Sequence, residues 1–385
     1  MKILFFSPCL YETGGVSRVL SLISSELSRY NDVEILTLEN EKFKKNKIYH
    51  LSPKIKVSYL NPIERTFLQR VSSYLNSRFG YLKKIKIKKL WDWTYISPKI
   101  QKELIGFINN GKFDAVCGVH AECAYYIGSI KEYINCKTIG WQHSSFDAYF
   151  RMPGKYYWNR DFLFHKYVKL LDHYIVLNEY DEERYRTEMN INTITIYNPK
   201  SFVSEKKSEC KNKRFIACGS LKKVKGYDML IDSFEIFSQT DQEWCLDIFG
   251  DGEERVLLQN KIVSKNLQNR IFLHGNVDNI ADKMLNSSAL LLSSRWEGMP
   301  MVVLEALECG LPIITYNITA IKPLVTNGIE GLITECFNID EYSNHMSIIA
   351  RDEKVRCSMS SNAVKKANLF ELETIGKQWN NILRK

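Results

Sequence analysis

The sequence predicts an α/β protein built on two doubly wound parallel sheets. Three observations carry that expectation. Short apolar runs alternate with amphipathic segments along the whole chain, the order that layers helices over a parallel sheet. The alternation stops in a polar, lysine-rich stretch at 198–212 and restarts at Arg214. A chain of 385 residues is long enough for two ordinary domains, each with its own core.

The elements follow in order. In the first half, residues 3–6, 33–36, 55–57, 115–117, 138–140, 174–177 and 194–197 read as strands. After the first, Gly14-Gly15 opens a segment in which Val16, Leu20, Ile23 and Leu27 recur at helical spacing. In the second half, residues 214–218, 245–249, 271–273, 288–293 and 312–314 read as strands. Pro300 suits a first helical position and Gly310 with Pro312 a helix stop. Glu297 therefore falls in the loop before a helix and Glu305 about two turns into it. Eight steps of about 100° leave the two roughly 80° apart, so both can look toward one cleft. We place the domains at 1–198 and 199–366, with a terminal helix at 367–385 that sets Leu369, Leu372, Ile375 and Trp379 on one face.

Composition bounds the class. Hydrophobic residues at 45% and charged residues at 25% are ordinary for a globular protein. The ten cysteines include no Cys-x-x-Cys pair and read as reduced thiols of a cytoplasmic protein rather than zinc ligands. The apolar run after Met1-Lys2 is too short for a secretory signal, and no run approaches the roughly 18 residues that span a bilayer. The expectation is a soluble or peripheral protein. The net charge of +9 is uneven, since residues 41–112 hold seventeen Lys or Arg against four Asp or Glu, or +13, which leaves −4 for the rest. Phe67, Tyr74, Phe79, Tyr81, Trp91, Trp93 and Tyr95 interleave that block. Basic plus aromatic surface suits an anionic membrane face or a lipid diphosphate. A solvated basic face with its aromatics turned inward is the plain alternative. No nucleic-acid motif accompanies the block, so nucleic acid is not an expected partner.

Several short motifs carry candidate chemistry. Gly14-Gly15 sits between a strand and a helix, where backbone amides approach an anion closely. Lys225-Gly226 holds a similar place in the second half, and its lysine can neutralise a leaving diphosphate. His143 follows the fifth strand-like run within Gly140-Trp141-Gln142-His143, with His120 as its competitor. Gly250-Asp251-Gly252 reads as a strand-to-helix turn. Glu297 and Glu305 flank Gly298-Met299-Pro300, a segment suited to close backbone approach. A carboxylate pair also serves glycoside hydrolysis, so a hydrolase stays open. There is no Asp-x-Asp triplet, and no metal requirement is expected.

The Glu297-(seven residues)-Glu305 motif resembles the donor-sugar motif of the retaining glycosyltransferases of family 4. Gly14-Gly15-Val16-Ser17-Arg18, Gln142-His143, Asn198-Pro199, Lys225-Gly226, Gly250-Asp251-Gly252 and Gly328-Ile329-Glu330-Gly331-Leu332 fit that family in order. The resemblance implies the GT-B architecture, two Rossmann-like domains facing each other across a cleft, with the terminal helix crossing back to the first. It implies no cofactor, a nucleotide diphosphate sugar as substrate (a UDP-sugar, with GDP-mannose as the alternative) and a glycan or polyprenyl-linked acceptor. It assigns Glu297, His143 and Lys225 to catalysis. Gly14, Gly15, Ser220, Lys225, Gly250, Gly298, Met299, Pro300 and Glu305 go to donor binding, with Glu305 on the ribose hydroxyls. Two departures stand out. Ser220 occupies a place where many members have arginine, with Lys222 or Lys223 as a substitute cation, and Ala320-Ile321-Lys322-Pro323 lacks a usual glutamate. The implied role is surface-polysaccharide assembly in the cytoplasm, at the inner face of the plasma membrane. A non-catalytic nucleotide-sugar-binding protein at a membrane surface and a GT-B epimerase are the alternatives.

Overall fold

The computed structural model describes all residues except Thr13, 40–48, Pro62, Ile63, Lys86, Gly154, Lys155 and Lys385. The chain divides into two compact units, Met1–Pro199 with Leu372–Lys385, and Lys200–Glu371.

The first unit carries a sheet of β1 (Lys2–Ser7), β2 (Asp32–Thr37), β3 (Lys56–Tyr59), β4 (Ala115–Val119), β5 (Lys137–Trp141), β6 (His173–Val176) and β7 (Ile194–Thr195). All its pairings are parallel, in the order β3-β2-β1-β4-β5-β6-β7. Ile3, Leu4, Phe5 and Phe6 of β1 are all fully buried, because helices cover both faces of a parallel sheet. The second unit repeats the plan with β8 (Arg214–Cys218), β9 (Cys245–Phe249), β10 (Ile271–Gly275), β11 (Ala289–Leu292), β12 (Ile313–Tyr316) and β13 (Gly331–Thr334), ordered β10-β9-β8-β11-β12-β13. Both are Rossmann-like orders. Strand order reverses between β1 and β4 in one sheet and between β8 and β11 in the other, and ligands of such sheets lie beyond the carboxyl ends of the strands at that reversal.

Two strands depart from expectation. β7 keeps only two of the four residues assigned to it. β13 was hidden inside a turn signal, since Gly328 adopts φ +79° and its N–H bonds to Gly331 O at 2.8 Å. Gly331 is glycine because a Cβ there would stand 2.0 Å from Ile313 O on β12.

The terminal helix Leu372–Arg384 belongs to the first unit. Ile375, Trp379, Ile382 and Leu383 are buried, and the Trp379 ring lies 4.6 Å from Trp141 and 6.0 Å from Phe5. Leu369, expected on that face, stands in a preceding 3-10 turn, Asn368–Phe370, and is 60% exposed. The stretch 198–212 is no solvated tether. Lys200 is 3% exposed at its side chain, with Nζ 2.5 Å from Glu308 and 2.6 Å from Glu371. Lys207 Nζ and the Ser204 N–H add 2.6 and 2.8 Å bonds to the other Glu308 oxygen. All ten cysteines are free, and four of them, Cys117, Cys123, Cys210 and Cys309, are buried. Among the described residues no helix is long and apolar enough to cross a membrane.

Candidate functional site

In the second unit, the loops leaving β8 and β11 meet at the strand-order reversal. Beyond β8, Lys223–Lys225 form a 3-10 turn and Gly226 turns the chain into the helix Tyr227–Ser238. Gly226 has φ +67°, and a Cβ would fall 2.1 Å from Ser293 O, so only glycine permits the approach. The loops are stitched by Arg295 N–H to Val224 O at 2.8 Å and by Ser293 Oγ to Lys225 O at 2.8 Å. The Arg295 guanidinium grips Asp228 through two bonds of 2.9 and 2.7 Å. Burial would raise the Asp228 pKa, but this fork outweighs it and holds the carboxyl below its ordinary range.

This frame brings Lys225 and Glu297 together. Lys225 Nζ lies 2.6 Å from Glu297 Oε1, which also accepts from Ser294 Oγ at 2.6 Å. The two side chains are 21% and 13% exposed, so the pair is sheltered yet reachable. Nζ has three donors and Glu297 takes one of them. Ser294 and Arg295 belong to the sequence stretch 294–300 that carries the Glu297 motif, but that motif assigns them no role of their own. Their position inside the loop between Ser293 and Glu297 was the available signal.

Gly298, Met299 and Pro300 are buried and lead into the helix Met301–Glu308. Pro300 is the N-cap, with φ −73° and ψ 110°, rather than the first helical residue, because its ψ is extended. Glu305 is therefore the fifth helical residue, just over one turn in rather than two. It is buried and accepts from Ser201 Oγ at 2.6 Å. The first N–H groups of such a helix have no intrahelical acceptor, which suits an anion. Ser220, Lys222 and Lys223 are exposed at the same end of β8. Gly250 and Gly252 answer to their own chain. A Cβ on Gly250 would lie 2.0 Å from Gly219 O, and one on Gly252 would lie 2.5 Å from Leu221 O.

In the first unit, Gly14 caps the helix Gly15–Leu27 after β1, and Gly15 is its first residue. Glu39 anchors the preceding loop through the N–H groups of Leu10 and Tyr11, at 2.5 and 2.9 Å. Arg18 stacks over Tyr49 at 4.9 Å, and the Tyr49 hydroxyl accepts from the Gly14 N–H at 3.1 Å. Among the described residues, nothing lies within 4 Å of where a Gly14 Cβ would stand.

His143 follows β5, its ring 4.3 Å from Trp141 and 6.2 Å from His120. Its Nε2 is enclosed and has no hydrogen-bond partner among the described residues. Burial, then the neighbouring His120, push its pKa well below the ordinary histidine value, so the ring is neutral at neutral pH. His120 starts the helix after β4 at φ +73°, with Nδ1 3.1 Å from the Tyr157 hydroxyl. Burial lowers its pKa too. Gln142 is a structural neighbour. It donates to Asp181 at 2.9 Å and accepts from Tyr185 at 2.6 Å. Among the described residues, no three His, Cys, Asp or Glu side chains group as metal ligands.

Known proteins resemble this chain in sequence and in fold. Residues 200–366 match the model of the glycosyl transferases group 1. An uncharacterized glycosyltransferase of Haemophilus influenzae is 24% identical over 99% of both chains. The UDP-Gal:α-D-GlcNAc-diphosphoundecaprenol α-1,3-galactosyltransferase of Escherichia coli is 38% identical over 30% of each chain. Among solved structures, a Staphylococcus aureus TarM mutant crystallised with UDP aligns over 100% of both chains at TM-score 0.77 and 13% identity. Anabaena HepE with UDP aligns over 100% of both at TM-score 0.76 and 18% identity. These likenesses fix the fold as GT-B. The second unit, residues 200–366, is thus a glycosyl transferases group 1 domain, set in a chain whose two Rossmann-like sheets share the GT-B fold of these neighbours.

Proposed function

We propose that this glycosyltransferase moves a hexose from a nucleotide diphosphate sugar to a glycan or polyprenyl-linked acceptor, with retention of configuration and without a metal ion. The observation that carries the reading is the Lys225–Glu297 pair at the strand-order reversal of the second sheet, 2.6 Å apart and sheltered. When the glycosidic bond breaks, negative charge grows on the leaving diphosphate. A preorganised lysine and the amides of a helix N-terminus stabilise that charge most where water is scarce. Lys225 takes the diphosphate, with Ser220 and the Gly298-Met299-Pro300 backbone beside it. Glu305 binds the ribose hydroxyls in exchange for Ser201. Glu297 stands at the sugar end as a stabiliser of positive charge rather than a nucleophile. His143, held neutral, takes the sugar contact that the family resemblance assigns it, and Gly14-Gly15 the amide contacts.

The galactosyltransferase of Escherichia coli, by its name, uses UDP-Gal and a diphosphoundecaprenol-linked sugar. A UDP-sugar and a lipid-linked acceptor in bacterial surface-polysaccharide assembly, at the inner face of the plasma membrane, are the corresponding choices here. The test is incubation of the purified protein with UDP-hexoses and GDP-mannose in the presence of EDTA. Acceptor-dependent nucleotide release that survives EDTA, is lost in Lys225→Ala and Glu297→Ala, and gives a product of unchanged anomeric configuration supports the reading. Release that needs a divalent cation overturns metal independence. Donor interconversion without an acceptor makes the protein an epimerase, and tight nucleotide-sugar binding without turnover makes it a binding protein.

A further inference from the structure

The helix Phe67–Phe79 of the first unit is built inside out. It is well specified, with a capping box between Thr66 and Gln69 and a left-handed Gly80 at its end. Its buried face is polar, comprising Ser72, Ser73 and a fully buried Asn76. Ser72 and Asn76 are engaged, not stranded. Ser72 Oγ bonds to Thr94 Oγ1 at 2.7 Å and to the Tyr81 hydroxyl. Asn76 donates to the Tyr95 hydroxyl at 3.1 Å and to Asn159 O at 2.9 Å, and accepts from the Leu82 N–H at 3.2 Å. The outward face is apolar. Phe67 is 78% exposed, and Leu68, Val71, Tyr74, Leu75 and Phe79 are exposed as well. At about 100° per residue these six cover an arc of about 140°. A helix on a globular surface normally turns such a stripe inward, and an outward one marks an interaction face.

Charge identifies what covers it. From residue 66 to residue 91 the sequence has seven Lys or Arg and no Asp or Glu. Arg78 lies inside the apolar arc, stacked over Phe79 at 5.7 Å, and Arg70 stands exposed at its edge. Lys84, Lys88 and Lys89 follow, exposed together with Ile85 and Ile87. Of the aromatics that interleave the basic block, Phe67, Tyr74, Phe79 and Trp93 face out, whereas Trp91 and Tyr95 are core and Tyr81 is half-buried. Residues 41–48, 62, 63 and 86 of that block lie outside the described residues. A second copy of the chain would set cation against cation, with no acid in this segment to answer it. Phosphate head groups over an acyl layer match both halves of the surface.

We infer that Phe67–Phe79 is the membrane-docking element, lying in the plane of an anionic bilayer with its apolar arc among the acyl chains and Arg70 and Arg78 at the phosphates. This deepens the proposed function, resting on it only for the reason that a lipid-linked acceptor resides in that same surface. The polar inner face explains how the helix stays anchored while its apolar side is left for lipid.

The test uses the full chain sedimented with phosphatidylglycerol-rich vesicles or with pure phosphatidylcholine vesicles. The wild type should favour the anionic vesicles and lose that preference at high salt. The triple variant Phe67→Ser/Tyr74→Ser/Phe79→Ser, all at exposed positions, should lose most of its binding. Arg70→Gln and Arg78→Gln should each weaken binding about fivefold, the equivalent of about 1 kcal/mol per basic residue near the surface. Equal sedimentation with both vesicle types, or wild-type binding by the triple variant and by both arginine variants, overturns the inference. So does a wild-type dimer in lipid-free solution that the triple variant abolishes, which would assign the face to a second copy. Nucleotide release from a soluble donor should be unchanged in the triple variant. Absence of that activity in the wild type, with lipid binding intact, counts against the proposed function and leaves the docking helix standing.

Discussion

Lys225→Ala separates a lysine that grips the leaving diphosphate from one that only braces a loop. Its Nζ lies 2.6 Å from Glu297 Oε1, with side chains 21% and 13% exposed. That burial falls between exposed ion pairs, worth about 0–1 kcal/mol, and fully buried ones, whose disruption costs about 3–5 kcal/mol. The folding cost of the substitution is therefore about 1–2 kcal/mol. The stitched backbone, Arg295 N–H to Val224 O and Ser293 Oγ to Lys225 O, does not involve the lysine side chain and should survive. The kinetic cost is larger. Removing one preorganised donor from a developing anion costs about 2.7–4 kcal/mol. At about 1.36 kcal/mol per tenfold, that is two to three orders of magnitude in rate. The assay is kcat/KM for nucleotide release from the preferred donor, run beside urea unfolding. If Lys225→Ala lowers stability as stated but keeps kcat/KM within a small factor of wild type, the lysine is a brace and the donor assignment fails.

Three further outcomes are expected. Burial pushes the Glu308 carboxyl up, but Lys200 and Lys207 outweigh it and hold its pKa below the ordinary 4.5. Glu308→Gln should then cost about 3 kcal/mol in urea unfolding at neutral pH. Because the folded pKa is depressed, that contribution is present above the unfolded value and lost as pH falls through the folded one, so wild type and variant should converge in acid. Trp379→Ala should cost about 3–5 kcal/mol, since the ring is fully buried against Trp141 and Phe5. An unchanged melting temperature would mean that the terminal helix is not docked in solution. His143 is also depressed, from 6.5, so its stabilising contribution is full above that value and declines as pH drops below it. The difference in unfolding free energy between wild type and His143→Gln should shrink below pH 6.5 by up to about 1.36 kcal/mol per pH unit. A pH-independent difference would show a histidine that protonates in place.

The sheets were legible because a parallel strand buried on both faces is written as an unbroken apolar run, as in β1 and β11. The Glu297 loop was legible for a different reason. Pro300, Gly310 and Pro312 punctuate it with residues whose backbone limits are local. What escaped was non-local. β13 is short and begins at a glycine set by contact with Ile313, which a turn-like sequence does not announce. The stretch 198–212 looks like a tether by composition, yet it is fixed by Glu308, about a hundred positions away. The helix Phe67–Phe79 shows the limit most clearly. Periodicity locates a helix, but it assumes that the apolar side turns inward, and here the hydrogen-bonded side is the inner one.

The glycines of the motifs divide the same way, and Gly14 is the informative one. Gly226, Gly250, Gly252 and Gly331 are each required by a backbone atom of their own unit between 2.0 and 2.5 Å from a Cβ position. They mark the fold, whatever the protein binds. Gly14 has no such reason. Its φ of 168° is extended backbone open to any residue, and among the described residues its Cβ direction is empty. Gly14→Ala should therefore fold normally, and narrowing the unfolded ensemble should add up to about 0.4–1 kcal/mol. If turnover nonetheless falls, the missing methyl group matters to something outside the chain, and close approach of a ligand to the helix N-terminus is the remaining cause. If Gly14→Ala is as active as wild type, Gly14-Gly15 is an ordinary strand-to-helix turn. If it unfolds, the loop is more crowded than its described neighbours allow. Gly226→Ala supplies the contrast, since loss of stability there follows from Ser293 O alone.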